Sequence, residues 1–330
     1  MREISYRDAI NETLREEMER DERVILLGED ISLYGGPRRV TWGLVESFGG
    51  DRVRDTPISE NTIIGTGLGA AITGMRPLVE ISYIDFALLA MDQIGNQVAK
   101  LSYMTGGQTK VPLVIRTQGG SGGGTAAQHS QSLEMLFVHI PGLKVVIPAT
   151  PYDAKGLLKT AIRDDGPVIF IEHKLLYVIK GMVSVKEYLI PFGELAIARR
   201  GSDITIVTYS AMLLKVMEAA EMLHQEGIEV EVLDLRTLIP LDIDGVLASV
   251  KKTGRLLIVH EASLVGGMGA EIAAQVQEQA FDYLDAPITR LGAVSVPIPY
   301  SESLERLVFP NKEKVVAAAH ALIGLPSPSF

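Results

Sequence analysis

Two polar residues stand where this chain could do chemistry. Glu60 closes the segment Asp55-Thr56-Pro57-Ile58-Ser59-Glu60 and opens a helical stretch rich in small residues. His129 lies in Ala127-Gln128-His129-Ser130-Gln131-Ser132, shortly after the run Gly119-Gly120-Ser121-Gly122-Gly123-Gly124. A carboxylate at a helix start can hold or relay a proton; it also complements the helix dipole, and residue type alone leaves both readings open. A loop imidazole exchanges protons near neutral pH and is equally a common structural side chain. The glycine run has the freedom to cradle a phosphate but lacks the Lys-Ser/Thr of a P-loop. It reads instead as a flexible loop over a cleft, placed to position His129. Gly65-Thr66-Gly67-Leu68-Gly69-Ala70 satisfies G-x-G-x-x-A, with Asp85 about 20 residues on, as in a dinucleotide fingerprint. That fingerprint follows directly on an apolar strand, whereas Pro57, Ser59, Glu60 and Asn61 precede these glycines. Close helix packing is the better reading, with a nicotinamide-dependent oxidoreductase kept as a rival. The pairs Glu172-His173 and His260-Glu261 have no metal-ligand spacing and read as structural.

The elements that must position these residues alternate along the chain. Ser5-Tyr6-Arg7-Asp8 has the form of a capping box, and Ile10, Leu14 and Met18 recur every four residues behind it. Strands are expected at Val24–Leu27, Leu78–Ser82, Val111–Arg116, Val145–Ile147 and Val168–Glu172. Helices are expected over Glu60–Met75, Phe86–Tyr103 and Tyr152–Ile162. Lys174–Pro191 breaks the rhythm and reads as a linker. Alternation resumes with strands at Ile204–Thr208, Val230–Leu233, Leu256–Val259 and Ile288–Leu291, and helices at Met212–Glu226, Ile243–Lys251, Ala270–Phe281 and Lys312–Ile323. Continuous β-branched strands alternating with helices predict parallel sheets covered on both faces. The expected fold is therefore α/β, two doubly wound domains, with residues 1–190 as one domain plus linker and residues 191–330 as the other.

Composition narrows the function. The 330 residues are 47% hydrophobic and 22% charged, a normal globular balance with room for two domains. Lys and Arg number 31 against 41 Asp and Glu, a formal charge of −10, which argues against nucleic acid or an anionic membrane as the main partner. The absence of cysteine excludes disulfides, thiolate metal sites and a Cys nucleophile. Met1-Arg2-Glu3-Ile4 is not followed by the apolar run of a signal peptide, and no apolar stretch reaches about 18 residues. A soluble, cytoplasmic protein is expected.

Several motifs occur in order over nearly the whole chain: Leu27-Gly28-Glu29-Asp30, Tyr34-Gly35-Gly36, Asp55–Glu60, Ala126–Ser132, Pro141-Gly142-Leu143-Lys144-Val145-Val146, Asp153–Leu158 and Asp234–Asp242. On these residues the sequence resembles the beta subunit of the thiamine-diphosphate-dependent decarboxylating component of 2-oxo acid dehydrogenase complexes. The resemblance implies a pyrimidine-binding domain followed by a transketolase-type C-terminal domain, in an α2β2 heterotetramer with the cofactor between subunits. It places the family's cofactor-activating carboxylate on Glu60, which would hydrogen-bond the aminopyrimidine ring and favour its imino form. That form takes the proton from the thiazolium carbon, and the cofactor then serves as electron sink. Phe86 falls where the ring is stacked, Ile58 where it is contacted, and His129 where acyl transfer to a lipoyl sulfur is assisted. Some family members hold a structural potassium largely through main-chain oxygens, and those positions fall on Leu113, Ala161, Ile162, Asp164 and Gly166.

The family's Mg2+ and diphosphate are held by a Gly-Asp-Gly motif followed by Asn-Asn, and the chain contains neither. The resemblance thus implies an alpha subunit that brings that half of the site, and a lipoyl transacylase as second partner. Pyruvate fits first as substrate. Glu172–Tyr177 and Phe281–Pro287 also resemble acetoin dehydrogenase beta chains, and a branched-chain 2-oxo acid comes third. A non-catalytic scaffold subunit is the remaining rival.

Overall fold

The computed structural model describes residues 1–326. The chain divides into two compact units, residues 1–119 with 136–192, and residues 120–135 with 193–330. In the first unit the strands are β1 (Arg2–Ser5), β2 (Val24–Gly28), β3 (Val53–Asp55), β4 (Arg76–Ile81), β5 (Val114–Gly119), β6 (Lys144–Val146), β7 (Val168–His173) and β8 (Lys180–Val183). Six of them form a parallel sheet in the order β6-β7-β5-β4-β2-β3. Every residue of β5 and β7 is buried, as expected for strands of a sheet covered on both faces, and in β5 that includes the polar Arg116, Thr117 and Gln118.

Local chemistry explains the main helices of this unit. Ser5 caps helix Tyr6–Arg20, its hydroxyl accepting the Asp8 N–H at 3.1 Å. Thr150 does the same for Pro151–Arg163 through Asp153 N–H at 3.1 Å, with Pro151 in the first turn where no N–H is needed. Between these helices Lys155 and Lys159, each 3% exposed, meet Glu12 and Glu16, and Arg163 meets Glu17.

Two segments differ from expectation. Phe86–Tyr103 is not one α-helix: a 3-10 stretch (Ile84–Ala90), a widened π stretch (Gln93–Val98) and a short α turn (Leu101–Met104) succeed one another. The widening appears as an Ala99 N–H to Ile94 carbonyl bond of 3.0 Å. It ends where Gly142 approaches closely, since a Cβ on Gly142 would lie 2.0 Å from the Ala99 oxygen. Lys174–Pro191 is more than a linker. It contains β8, which pairs antiparallel with β1 from Arg2 opposite Val183 to Ser5 opposite Lys180.

The second unit contains β9 (Ala196–Arg199), β10 (Ile204–Thr208), β11 (Val230–Asp234), β12 (Thr237–Ile239), β13 (Leu256–Ser263) and β14 (Thr289–Ala293). Its five-stranded sheet has the order β14-β13-β10-β11-β9, parallel except for β9 at the edge. Helices Met212–Gln225, Ile243–Thr253, Met268–Ala280 and Lys312–Leu322 accompany it. The register of β13 on β14 shifts between Val259 and Ser263, a break that re-aims the side chains of His260, Glu261 and Ala262.

Candidate active site

In the first unit the chemistry gathers beyond the carboxyl ends of three neighbouring parallel strands. β2 ends at Gly28 and delivers Glu29, β3 ends at Asp55 and leads to Glu60, and β4 ends at Ile81 and leads to Phe86. Ligands of open α/β sheets bind in the crevice at such strand ends. The Thr56 N–H donates to the Gly28 carbonyl at 2.9 Å, which ties the Glu60 approach to β2. Asp55 accepts the Ser32 N–H at 2.8 Å and bonds the Ser32 hydroxyl as well.

Glu60 begins helix Glu60–Ile72 and is buried, at 6% exposure, although Ser59 gives the helix no side-chain cap. Glu29 is the residue that sequence reasoning left without a role. Its Oε1 is buried with no hydrogen-bond partner, and its carboxyl is held above the usual carboxylate range, first by burial and then by the charge of Glu60. Its place directly after a strand was the available signal. Phe86 is half-buried with its ring edge-on to Tyr83, centroids 5.8 Å apart. Ile58 is 82% exposed, an unusual state for an isoleucine next to a buried carboxylate. A buried, orphaned carboxyl oxygen beside a second carboxylate, an exposed apolar side chain and an aromatic ring fit a planar, hydrogen-bonding heterocycle such as an aminopyrimidine.

The glycines of the dinucleotide-like pattern lie inside helix Glu60–Ile72, not in a strand-to-helix turn. A Cβ on Gly67 would sit 2.6 Å from Val79 Cγ1 and 3.1 Å from Leu113 Cδ1, so the small residue lets the helix approach the sheet. The nicotinamide reading loses its basis.

His129 belongs to the second unit, in the 120–135 segment, apart from the unit that holds Glu60, Ile58 and Phe86. It is half-buried, and its carbonyl accepts the Thr125 hydroxyl at 3.1 Å. The N–H groups of Ser121 and Gly122 donate to the carboxylates of Glu261 and Glu305, so these amides of the glycine run are spent on the protein's own carboxylates. A cavity of about 450 Å3 is lined by Gln131, Ser132, Glu261, Val294 and Phe309 among others.

The main-chain oxygens expected to hold potassium lie in the first unit. The carbonyls of Ile162 and Asp164 accept from the Arg76 guanidinium at 3.0 and 2.9 Å. The Leu113 carbonyl accepts the Val168 N–H at 2.9 Å, and the Asp164 carboxylate takes Lys144 at 2.8 Å and the Gly166 N–H at 2.7 Å. Carbonyl oxygens are the right donors for potassium, but an ion here would share them with a guanidinium. Among the described residues no group of three or more His, Asp or Glu side chains could hold a metal ion. His173 Nδ1 accepts the Leu175 N–H at 3.1 Å, and His260 is fully buried. The acetoin-like stretch Glu172–Tyr177 is structural in part. Glu172 receives Arg116 through Nε and Nη2, at 2.5 and 2.8 Å, and the Tyr177 hydroxyl at 2.7 Å.

Comparison with known proteins agrees with this architecture. Residues 2–180 match the family described as transketolase, pyrimidine binding domain, and residues 193–315 the transketolase C-terminal domain. The beta subunit of acetoin:2,6-dichlorophenolindophenol oxidoreductase from Cupriavidus necator is 51% identical over 328 residues, covering 96% of this chain and 97% of that one. The pyruvate dehydrogenase E1 component subunit beta of Porphyra purpurea is 48% identical over 324 residues, 98% of each chain. The 2-oxoisovalerate dehydrogenase subunit beta of Bacillus subtilis is 45% identical over 321 residues, 97% of this chain and 98% of that one. A solved split gene transketolase, an inactive beta4 tetramer, superposes with a TM-score of 0.81 at 23% identity, covering 98% of this chain and 99% of that one; at that identity it shows the fold. The class defined by fold and site is the transketolase-type, two-domain α/β protein. Within that class, the chain belongs to the family of beta subunits of the thiamine-dependent decarboxylating component of 2-oxo acid dehydrogenase complexes.

Proposed function

We propose that this chain is the beta subunit of a pyruvate dehydrogenase (acetyl-transferring) component, which decarboxylates a 2-oxo acid oxidatively and passes the acyl group to a lipoyl transacylase. The observation that carries this reading is the buried Glu60 carboxylate at its helix start, with the buried Glu29 Oε1 beside it. Thiamine diphosphate, when bound, supplies a carbon nucleophile and an electron sink. Glu60 would hydrogen-bond the pyrimidine ring, Phe86 would stack on that ring, and Ile58 would contact it. Burial removes competing water from the Glu60 carboxylate and strengthens its hydrogen bond. His129 moves a proton at the lipoyl sulfur during acyl transfer.

An alpha subunit in an α2β2 heterotetramer brings Mg2+ and the diphosphate half, in line with the missing Gly-Asp-Gly and Asn-Asn motifs. Exposed Ile58, Leu89 and Tyr103 suit cover by such a partner. We read residues 1–190 as the pyrimidine half and 191–330 as the C-terminal half, and the main-chain oxygens around Asp164 as a potassium site shared with Arg76. Among the described residues no helix is long and apolar enough to cross a membrane, and we place the protein in the cytoplasm. Acetoin is the second substrate reading, favoured by the 51% identical relative.

The test is turnover of pyruvate, acetoin and 2-oxoisovalerate by the chain co-expressed with its alpha partner, with an artificial acceptor, in potassium and in sodium salts. Pyruvate should dominate, and Glu60→Gln should lose about 100-fold or more, the scale of a general acid–base group. Activity that survives the substitution makes Glu60 structural and removes the central claim. Equal rates and melting temperatures in the two salts remove the potassium site.

A further inference from the structure

The His129 segment would be a poor platform for a catalytic side chain if left to itself. Gly120, Gly122, Gly123 and Gly124 all have positive φ, from 60 to 100°, and Ala126 has φ +57°. A non-glycine residue holds that conformation only when its surroundings fix it. Inside the segment the Gly120 N–H donates to the Gln131 carbonyl at 3.0 Å, the Thr125 hydroxyl donates to the His129 carbonyl at 3.1 Å, and the Thr125 and Ser130 hydroxyls lie 2.8 Å apart. The stronger ties come from carboxylates far away in sequence. Glu261 Oε1 accepts the Ser121 N–H and lies 3.4 Å from the Ser132 hydroxyl, so one carboxylate reaches both ends of the loop. Glu305 accepts the Gly122 N–H at 2.7 Å. At the exit, Glu134 accepts the Tyr209 hydroxyl at 2.7 Å.

We infer that Glu261, with Glu305 in support, is a positioning residue that clamps the Gly120–Ser132 loop and thereby sets the place of His129. The inference rests on the acyl-transfer role proposed for His129. Glu261 lies in the register break in β13, and its neighbour His260 is closely packed there. The His260 ring stacks on Tyr209 with centroids 6.1 Å apart, and added Cβ atoms on Gly269 and Gly292 would meet it at 2.7 and 3.0 Å. Charge-assisted bonds from backbone N–H groups to carboxylates are the strong kind, and all of the acceptors named here belong to the same unit as the loop.

The experiment uses the co-expressed complex and two readouts. Hydrogen exchange over residues 120–132 should be about tenfold faster or more in Glu261→Ala and in Glu305→Ala, the scale of losing one bond to a charged group. The β10 and β13 amides should keep their protection. Glu261→Gln should recover most of the protection, because its amide oxygen still accepts. Unchanged loop exchange in both Ala variants overturns the clamp. The second readout is acyl transfer to a lipoyl domain. Glu261→Ala should slow it about tenfold with His129 present and have no further effect in His129→Ala. Faster exchange with kinetic effects that simply multiply keeps the clamp and overturns the role given to His129.

Discussion

Glu29 costs the folded chain something at neutral pH. Its carboxyl lies above its ordinary value near 4.5 because of burial and then Glu60. A group whose folded value is raised gives its full stabilisation below the unfolded value and loses it as pH rises through the folded one. Glu29→Gln should therefore raise the melting temperature at pH 7–8, by about 1–3 °C for a modest free-energy gain in a chain of this size, and the gain should vanish below about pH 4. A thermal unfolding series over pH checks this, and a melting temperature that falls at pH 8 would mean that Glu29 has a partner of opposite charge. His260 has the opposite sign. Burial lowers it from 6.5 to about 4, so its contribution is complete above pH 6.5 and is lost as pH falls through about 4. Glu60 was legible in the sequence because Pro57, Ser59 and the small-residue run mark a strand-to-helix junction. Glu261 and Glu305 were not, because their partners Ser121 and Gly122 lie 140 and 183 residues away and no local pattern records a contact at that separation.

At the scale of elements, helix Glu60–Ile72 shows how composition encodes packing. Gly67 and Gly69 look alike in sequence, yet a Cβ on Gly67 would press on Val79 and Leu113 whereas one on Gly69 would meet nothing within 4 Å. Gly69→Ala should stabilise the isolated chain by about 0.5–1 kcal/mol through helix propensity. Gly67→Ala makes the same backbone gain but overpacks the helix–sheet contact by about 1–3 kcal/mol, so it should be net destabilising. Denaturant unfolding of the two variants checks this, and equal stabilisation would show that the helix sits farther from β4 than the structure places it. A strand that opens on a continuous apolar run, such as β7 with Val168–Ile171, was legible because burial on both faces leaves no alternation to misread. β8 was missed because only one of its four residues is buried and its partner β1 lies near the other end of the unit's sequence. The changing pitch of 84–104 lies beside a close backbone approach of Gly142 to Ala99, a tertiary contact that local propensity does not carry.

The whole chain supplies one kind of chemistry and omits another. Glu29, Glu60 and Phe86 follow the carboxyl ends of β2, β3 and β4 in the first unit, and the sequence contains no Gly-Asp-Gly with following Asn-Asn. The formal charge of −10 adds a long-range field that disfavours a multiply charged anion. On the reading proposed above, a second chain neutralises the diphosphate. Calorimetry on the purified chain with Mg2+ and thiamine diphosphate should show no stoichiometric binding, and the complex with its alpha subunit should bind one cofactor for each beta chain. Glu60→Gln should weaken binding in the complex by about tenfold or somewhat more, the scale of one hydrogen bond to a charged group, while cutting turnover far more. Stoichiometric binding by the beta chain alone would mean that the diphosphate finds its cation within this sequence, and the division of labour between subunits would have to be redrawn.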